Sequence, residues 1–495
     1  MRYAWIAVLM TALVTGRATA QVTEFRWAGD PEGGAPYVEA SPSDPNALVG
    51  FDVEIAALMA RGLGRTPSFV FVSFYSIDQS IARGDADIGL SGIEDTPTRR
   101  RTMAVTVPYY QFREVLSVRD ADAERLRTLR DLGGRKVGTL AGTLAWDILQ
   151  RAQADYGVEP VSYEDDVHPF ADLVMGRIDA VLLDNVLANR RQASTPGYTI
   201  QPDTVATSHY VGVLAPQNAA LRDRVDETLR EAMRSGELER IFRRWNVWNE
   251  EQAPLFQQVL AGTPIAAVAG VDLEDAARQS VWGATLAYFP ALLRAALVTL
   301  ILSALSMGLA VALGVLIASG RVYGAPWLRL ALTGYVELMR GTPVLLQLFV
   351  LYYGIATAIR LPAFVAAFLG LALNYAAYES EIYRSALDAI SRGQLEAART
   401  LGFTESQILR LIRGPQAFRI ALAPMTNDFV ALLKDSSLVS VLTVMELTKQ
   451  TQIFATNLGS WLVPGILCAS LYLAMSLPLS ALARRLEARW KAPTA

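Results

Sequence analysis

The 495-residue chain has one cysteine and two histidines. Cys468 has no partner for an intramolecular disulfide, and a lone thiol cannot build a cysteine zinc cluster. His168 and His209 stand in no recognisable nucleophile context, so neither is given a catalytic role. Net positive charge is also lacking. With 45 Lys and Arg against 48 Asp and Glu, the balance of −3 excludes a generally basic nucleic-acid binder. No Gly-x4-Gly-Lys-Ser/Thr phosphate loop occurs, so any ATP hydrolysis linked to this chain belongs to another subunit.

What is present is apolar and unevenly charged. At 52% hydrophobic and 19% charged residues, with a mean hydropathy of +0.26, the composition points to bilayer spans and away from a purely cytosolic enzyme. The length suggests about three domains of ~150 residues. From Thr285 onward 17 Lys and Arg face 10 Asp and Glu, which leaves 28 against 38 in the first 284 residues. An acidic half is therefore joined to a basic, apolar half. The first twenty residues carry Arg2, an apolar stretch from Ala4 to Val14 and the small-x-small sequence Ala18-Thr19-Ala20. This pattern predicts a signal peptide over 1–20, with an uncleaved signal anchor as the alternative. Both readings place residue 21 onward outside the cytoplasm.

From 21 to 249, β-rich runs such as Phe69-Val-Phe-Val-Ser73, Asp87-Ile-Gly-Leu-Ser91, Arg135-Lys-Val-Gly-Thr139 and Asp179-Ala-Val-Leu-Leu183 alternate with helical periods. The helical periods run from Asp52 to Leu63, Thr143 to Asp155 and Leu221 to Trp245. The alternation predicts an α/β fold with covered sheets. Gly84-Asp-Ala-Asp-Ile-Gly-Leu echoes Gly176-Arg-Ile-Asp-Ala-Val-Leu, each starting a strand after a helix, which suggests two similar lobes.

Gly50-Phe-Asp-Val-Glu-Ile, Ser91-Gly-Ile-Glu-Asp-Thr-Pro-Thr-Arg99, Pro108-Tyr-Tyr, Gly142-Thr143 and the run ending at Asp184 together resemble the periplasmic solute-binding proteins of polar amino acid uptake, over nearly all of residues 25–248. The resemblance implies a two-lobe α/β fold joined by hinge strands, here near Glu114 to Arg119 and Tyr210 to Leu214. It further implies ligand contacts from Asp30, Tyr37, Phe74, Gly92, Glu94, Arg99, Thr143 and Asp184. In that scheme Arg99 grips a ligand carboxylate, Thr143 adds donors at a helix N-terminus and Asp184 takes an ammonium. Tyr37 and Phe74 flank the ligand side chain. Glu94 departs from the family, which usually has Ser or Thr there; an ionised glutamate would repel a ligand carboxylate unless compensated by Arg99, Arg100 or a cationic ligand group. A basic or amide-bearing amino acid is then favoured over an acidic one.

Residues 250–284 read as a polar, small-residue connector that tethers this domain to a membrane domain over 285–490. Apolar runs at about Leu297 to Ser319, Val344 to Ile359, Ala363 to Tyr378, Ile420 to Val441 and Trp461 to Ala483 predict an all-α transmembrane domain of five helices. Three, six and four Lys and Arg fall in segments 320–342, 380–419 and the C-terminus, against one each (Arg360 and Lys449) in the two outer connections. That bias orients the C-terminus to the cytoplasm. Asp428, Lys434 and Asp435 interrupt the fourth run.

Within 380–419, Gly393-Gln-Leu-Glu396-Ala397-Ala398-Arg-Thr-Leu-Gly402, followed by Ile412 and Pro415, resembles the Glu-Ala-Ala loop of ABC importer permeases. Gly414 replaces that family's usual leucine. Flanking runs from Glu337 to Gln347, Ala376 to Arg384 and Leu433 to Leu438 are similar to its polar amino acid branch. The resemblance covers 290–488. It implies a short helix that couples to a separate ABC ATPase, where ATP is used, and a paired, homodimeric permease in membrane lipid, with no cofactor or metal in this chain and no nucleic-acid partner. The expected activity is import of a polar amino acid or similar small solute at a bacterial inner membrane. Two alternatives stand beside it: a ligand-gated channel, and a dehydratase-like enzyme domain tethered to a membrane domain.

Overall fold

A computed structural model describes residues 24–31, 36–41, 44–271, 281–356, 358–359, 361–458 and 460–490. The signal segment 1–20 and part of the connector, 272–280, lie outside the described residues. The chain divides into two units, Met1–Arg278 and Gln279–Ala495.

The first unit holds two five-stranded sheets. In one, Thr66–Phe71, Glu24–Gly29, Ile88–Gly89, Val213–Leu214 and Ala104–Val105 lie side by side; in the other the order is Tyr198–Tyr210, Tyr110–Arg119, Ala180–Asp184, Lys136–Leu140 and Glu159–Tyr163. Glu24–Gly29 pairs in parallel with both of its neighbours, as does Lys136–Leu140, because helices make the crossovers. Helices Phe51–Gly62 and Leu144–Tyr156 bury Phe51, Ile55, Met59, Leu144, Ile148 and Leu149 in one core. The internal echo is structural: Ile77–Arg83 leads through Gly84 into one sheet, and His168–Val174 through Gly176 into the other.

Among the described residues, the chain crosses between the two five-stranded sheets at 106–109 and 211–212. Thr106 N–H donates to the Gly212 carbonyl at 3.0 Å, and Gly212 N–H donates to Thr106 Oγ1 at 2.8 Å, so the crossings are bonded to each other. The hinge expected at Glu114 to Arg119 is thereby corrected. That segment is the C-terminal half of strand Tyr110–Arg119, which pairs with a strand on either side and sets Glu114 in register with Asp184 and Ala206.

The connector also departs from a plain tether. Gln252–Ala261 is a helix whose Leu255, Phe256 and Val259 are buried in the first unit's core, and Ala269 bridges Thr207 at 2.9 Å in both directions. Apolar spacing in an otherwise polar segment was enough to fold it back.

The second unit is helical. Val281–Tyr323 packs along Ala363–Asp388, where a Cβ at Gly314 would come within 2.8 Å of Glu379 Cβ. Pro326–Gly341, Arg392–Thr400, Gly414–Asp435, Leu447–Leu458 and Leu462–Trp490 complete the longer helices described there. Each of the five apolar runs lies at least in part on helix, the second only as far as Gly354, but only Tyr288–Tyr323 and Leu462–Arg485 are long and apolar enough to cross a membrane, among the described residues. Val344–Gly354 is apolar and shorter. The fourth run stops being α-helical at Asp435, whose carboxylate accepts the Tyr375 hydroxyl at 2.7 Å, and continues as the 3-10 turn Ser436–Leu442. Lys449, counted above in an outer connection, is instead buried within Leu447–Leu458. Leu286, Leu316, Leu330, Leu462 and Trp327 are each at least two-thirds exposed, the outward apolar surface of a lipid-facing bundle.

Candidate functional site

The two lobes of the first unit meet at buried polar side chains. Asp184 ends strand Ala180–Asp184 and caps helix Asn185–Ser194, accepting the Val186 and Leu187 N–H groups at 2.8 and 2.9 Å. Tyr37, from the other lobe, donates its hydroxyl to the same carboxylate, 3.2 Å from each oxygen, and shares a 2.6 Å hydrogen bond with the Tyr210 hydroxyl. The Tyr37 ring stands edge-on to Phe51 and Tyr210. Burial pushes the Asp184 carboxyl up to about 6 despite these donors.

Glu94 also reaches across. Its carboxylate accepts the Leu144 N–H at the start of helix Leu144–Tyr156, while its main-chain carbonyl accepts Arg99 Nη1 at 2.9 Å. Burial pushes Glu94 up to about 8, with Arg99 and the Leu144 N–H opposing and the carboxylates Asp184 and Asp147 reinforcing. Arg99 is itself buried, and its Nε donates to Asp78 at 2.9 Å. The guanidinium is therefore partly committed before any ligand arrives. Thr143 caps the Leu144 helix: its hydroxyl accepts Trp146 N–H at 3.2 Å and donates to the Leu140 carbonyl at 2.8 Å. That hydroxyl, expected to face the ligand, is used within the protein.

Asp52 positions the loop beneath. Its Oδ2 accepts Ser91 and Gly92 N–H at 2.9 and 2.7 Å, and its Oδ1 accepts the Tyr109 hydroxyl at 2.9 Å. Ser91 is held at φ 101°, a strained conformation for a side-chain-bearing residue. Gly92, at φ +66°, admits no Cβ, which would sit 2.7 Å from the Tyr37 ring. Asp30 accepts the Phe74 N–H at 2.7 Å, and Phe74 packs at the margin of the Val72, Ile77, Ile81 and Ile93 cluster instead of beside the Tyr37 ring cluster.

Sequence reasoning missed Glu114, Asp147 and Tyr210 as members of this site. Glu114 is fully buried, lies directly opposite Asp184 in the strand register, and its carboxyl oxygens make no close hydrogen bond, with the Ala145 N–H as a nearby donor. Burial raises its carboxyl well above the usual range, and Glu94 and Asp184 raise it further. A glutamate inside the otherwise apolar run from Phe112 to Val118 was the available signal.

In the second unit, the Glu-Ala-Ala segment lies on helix Arg392–Thr400, capped by Ser391. Glu396 and Ala397 are exposed and Ala398 is buried. Gly402 follows at φ +85°, flanked by exposed Leu401 and Phe403. Ile412 is half-buried in the π-turn Leu409–Arg413, and Pro415 opens the next helix on its exposed side.

A two-lobed domain with a polar site between its lobes, on one chain with an apolar helical bundle that exposes a short capped helix, defines a membrane transporter carrying its own solute receptor. The chain belongs to the binding-protein-dependent transport system inner membrane components, matched over residues 310–492, and its residues 32–247 match the bacterial extracellular solute-binding proteins, family 3. It is 38% identical over 188 residues to the probable amino-acid ABC transporter permease protein YckA of Bacillus subtilis, covering 38% of this chain and 83% of that one. It is 34% identical over 216 residues to the glutamine transport system permease protein GlnP of Escherichia coli, covering 42% and 97%. A solved structure titled as an amino acid ABC transporter with histidines is similar at 33% identity and a TM-score of 0.41, covering 43% of this chain and 99% of that one. The chain is thus a fused solute-binding and permease subunit of an ABC transporter, not an enzyme, and an inner-membrane protein whose binding domain is extracytoplasmic.

Proposed function

We propose that this chain captures a polar amino acid or similar small solute outside the membrane and passes it through a pathway formed by two copies of its permease domain, driven by ATP on a separate ABC ATPase. The observation that carries this reading is the presence of both family matches on one chain, receptor followed by permease. The ligand site comprises Asp30, Tyr37, Phe74, Gly92, Glu94, Arg99, Thr143 and Asp184. Asp184 receives a cationic group, since its carboxylate is buried between the lobes and faces the Tyr37 hydroxyl. Arg99, Asp30 and Asp52 shape the pocket from the other lobe.

Glu396, Ala397, Ala398, Gly402, Ile412 and Pro415 form the ATPase-coupling loop, with exposed Leu401 and Phe403 as the apolar part of its contact. Five membrane crossings, a cytoplasmic C-terminus, a leader over 1–20 and a binding domain from residue 21 complete the reading. Because Gln252–Ala261 packs into the binding unit, the connector is confined to residues after 271. The reading is tested by reconstituting the chain with its ATPase in proteoliposomes and measuring solute accumulation on ATP addition; absence of accumulation for every ligand the binding unit holds would end it.

A further inference from the structure

Within that reading, one feature of the cleft bears on the class of solute. The Leu144 helix offers an N-terminal N–H, and Arg99 offers the nearby cationic charge; together they make a place for one carboxylate. A carboxylate is already there, and it belongs to Glu94, which is buried. Arg99 is further neutralised by Asp78. The groups that interact electrostatically with Glu94 are otherwise acidic: Asp184 and Asp147 directly, and Glu114, which feels both Glu94 and Asp184. Glu114 is the independent sign that a ligand belongs here. Its oxygens are buried and make no close hydrogen bond, with the Ala145 N–H at the start of the Leu144 helix as a nearby donor, and its strand register sets it opposite Asp184, so an under-satisfied carboxyl faces the same cluster.

A ligand carboxylate entering this cluster would have to displace Glu94 from the Leu144 N–H and would meet Asp147, Asp184 and Glu114 in a buried space where the Arg99 charge is already shared. A primary ammonium or guanidinium would be drawn to the same groups and would supply donors to Glu114 and Asp184. We propose that Glu94 permanently fills the carboxylate subsite with its own carboxyl, ionised when a cation docks beside it, and that the cleft selects small organic amines or guanidines that carry no carboxylate of their own. Tyr37 and Tyr210 then close the cation's side of the site with hydroxyls shared with Asp184 and with each other.

The proposal rests on the solute-import reading but can fail separately from it. The test uses the full chain in lipid nanodiscs and matched probes that differ by one carboxylate: putrescine against ornithine, and agmatine against arginine, each titrated calorimetrically. The expected result is binding of the decarboxylated member of at least one pair about tenfold or more tighter than its amino acid. Glu94→Thr, which empties the subsite, should reverse that preference, and Glu94→Gln, which keeps the shape without the charge, should narrow it. Amino acid binding as tight as or tighter than its amine in the unaltered protein would overturn the proposal. So would no binding of any amine, or a Glu94→Thr preference unchanged in a variant whose melting temperature matches the parent. ATP-driven uptake of an amino acid by the reconstituted assembly would overturn it too, while leaving the import reading standing.

Discussion

Burial holds Asp52, Asp147 and Asp184 up to about 6 and Glu94 up to about 8. Each folded-state value lies above that of an unfolded chain, so each group stabilises the fold at low pH and loses that contribution as pH rises through its folded value. Hydrogen-exchange protection of strand Ala180–Asp184 and helix Leu144–Tyr156 in the full chain should therefore fall between about pH 5 and about pH 8 after correction for intrinsic exchange. Glu94→Gln should flatten the upper part of that decline, since an amide does not ionise; an unchanged slope would contradict the assignment. Asp52→Ala leaves the Ser91 and Gly92 N–H groups without their acceptor, at a cost of roughly 1–3 kcal/mol for each if they remain buried. A shift in the denaturation midpoint measures it, and no shift would show that the loop has another support. Arg99 and Asp184 could be singled out in the sequence because they sit in contiguous motifs. Glu114 was not, because its role depends on a strand pairing between distant parts of the chain.

At the scale of elements, Gln252–Ala261 shows how a polar stretch misleads. Its Leu255, Phe256 and Val259 share one helical face, and the glutamines between them made the segment read as a connector. Leu255→Ala should destabilise the binding unit by about 2–5 kcal/mol, measured by chemical denaturation of that unit; a change within error would mean the helix only rests on the surface. Helix Arg392–Thr400 was easier to read. Ser391 caps it and Gly402 ends it in the left-handed region, and both signals lie within a few residues of the motif. A Cβ at Gly402 would meet open space, so Gly402→Val acts through backbone strain, about 1–2 kcal/mol, and through whatever docks on that face. Solute binding should be unchanged and ATP-driven transport reduced; normal transport would remove this loop from coupling. The apolar runs were visible in sequence, but their ends were not. Tyr375 meets Asp435, and Lys449 is taken into a helix, through tertiary contacts that a hydropathy pattern does not contain.

For the whole molecule, receptor and permease on one chain raise the receptor's concentration beside its pathway without any new contact, by an amount that the connector after residue 271 sets. This division into an acidic exported half and a basic apolar half was readable from charge and hydropathy alone, because both are properties of long segments. The arrangement of membrane crossings depends on lipid, which a sequence pattern does not contain. The central claim is that solute captured by the first unit crosses the membrane only when a partner ATPase turns over. Its most direct measurement is uptake of labelled solute into proteoliposomes containing this chain and that ATPase, with and without ATP. The account predicts accumulation with ATP and none without it, lost in Asp184→Asn together with solute binding. Solute-dependent ion current without ATPase, or passive equilibration of the solute, would contradict it.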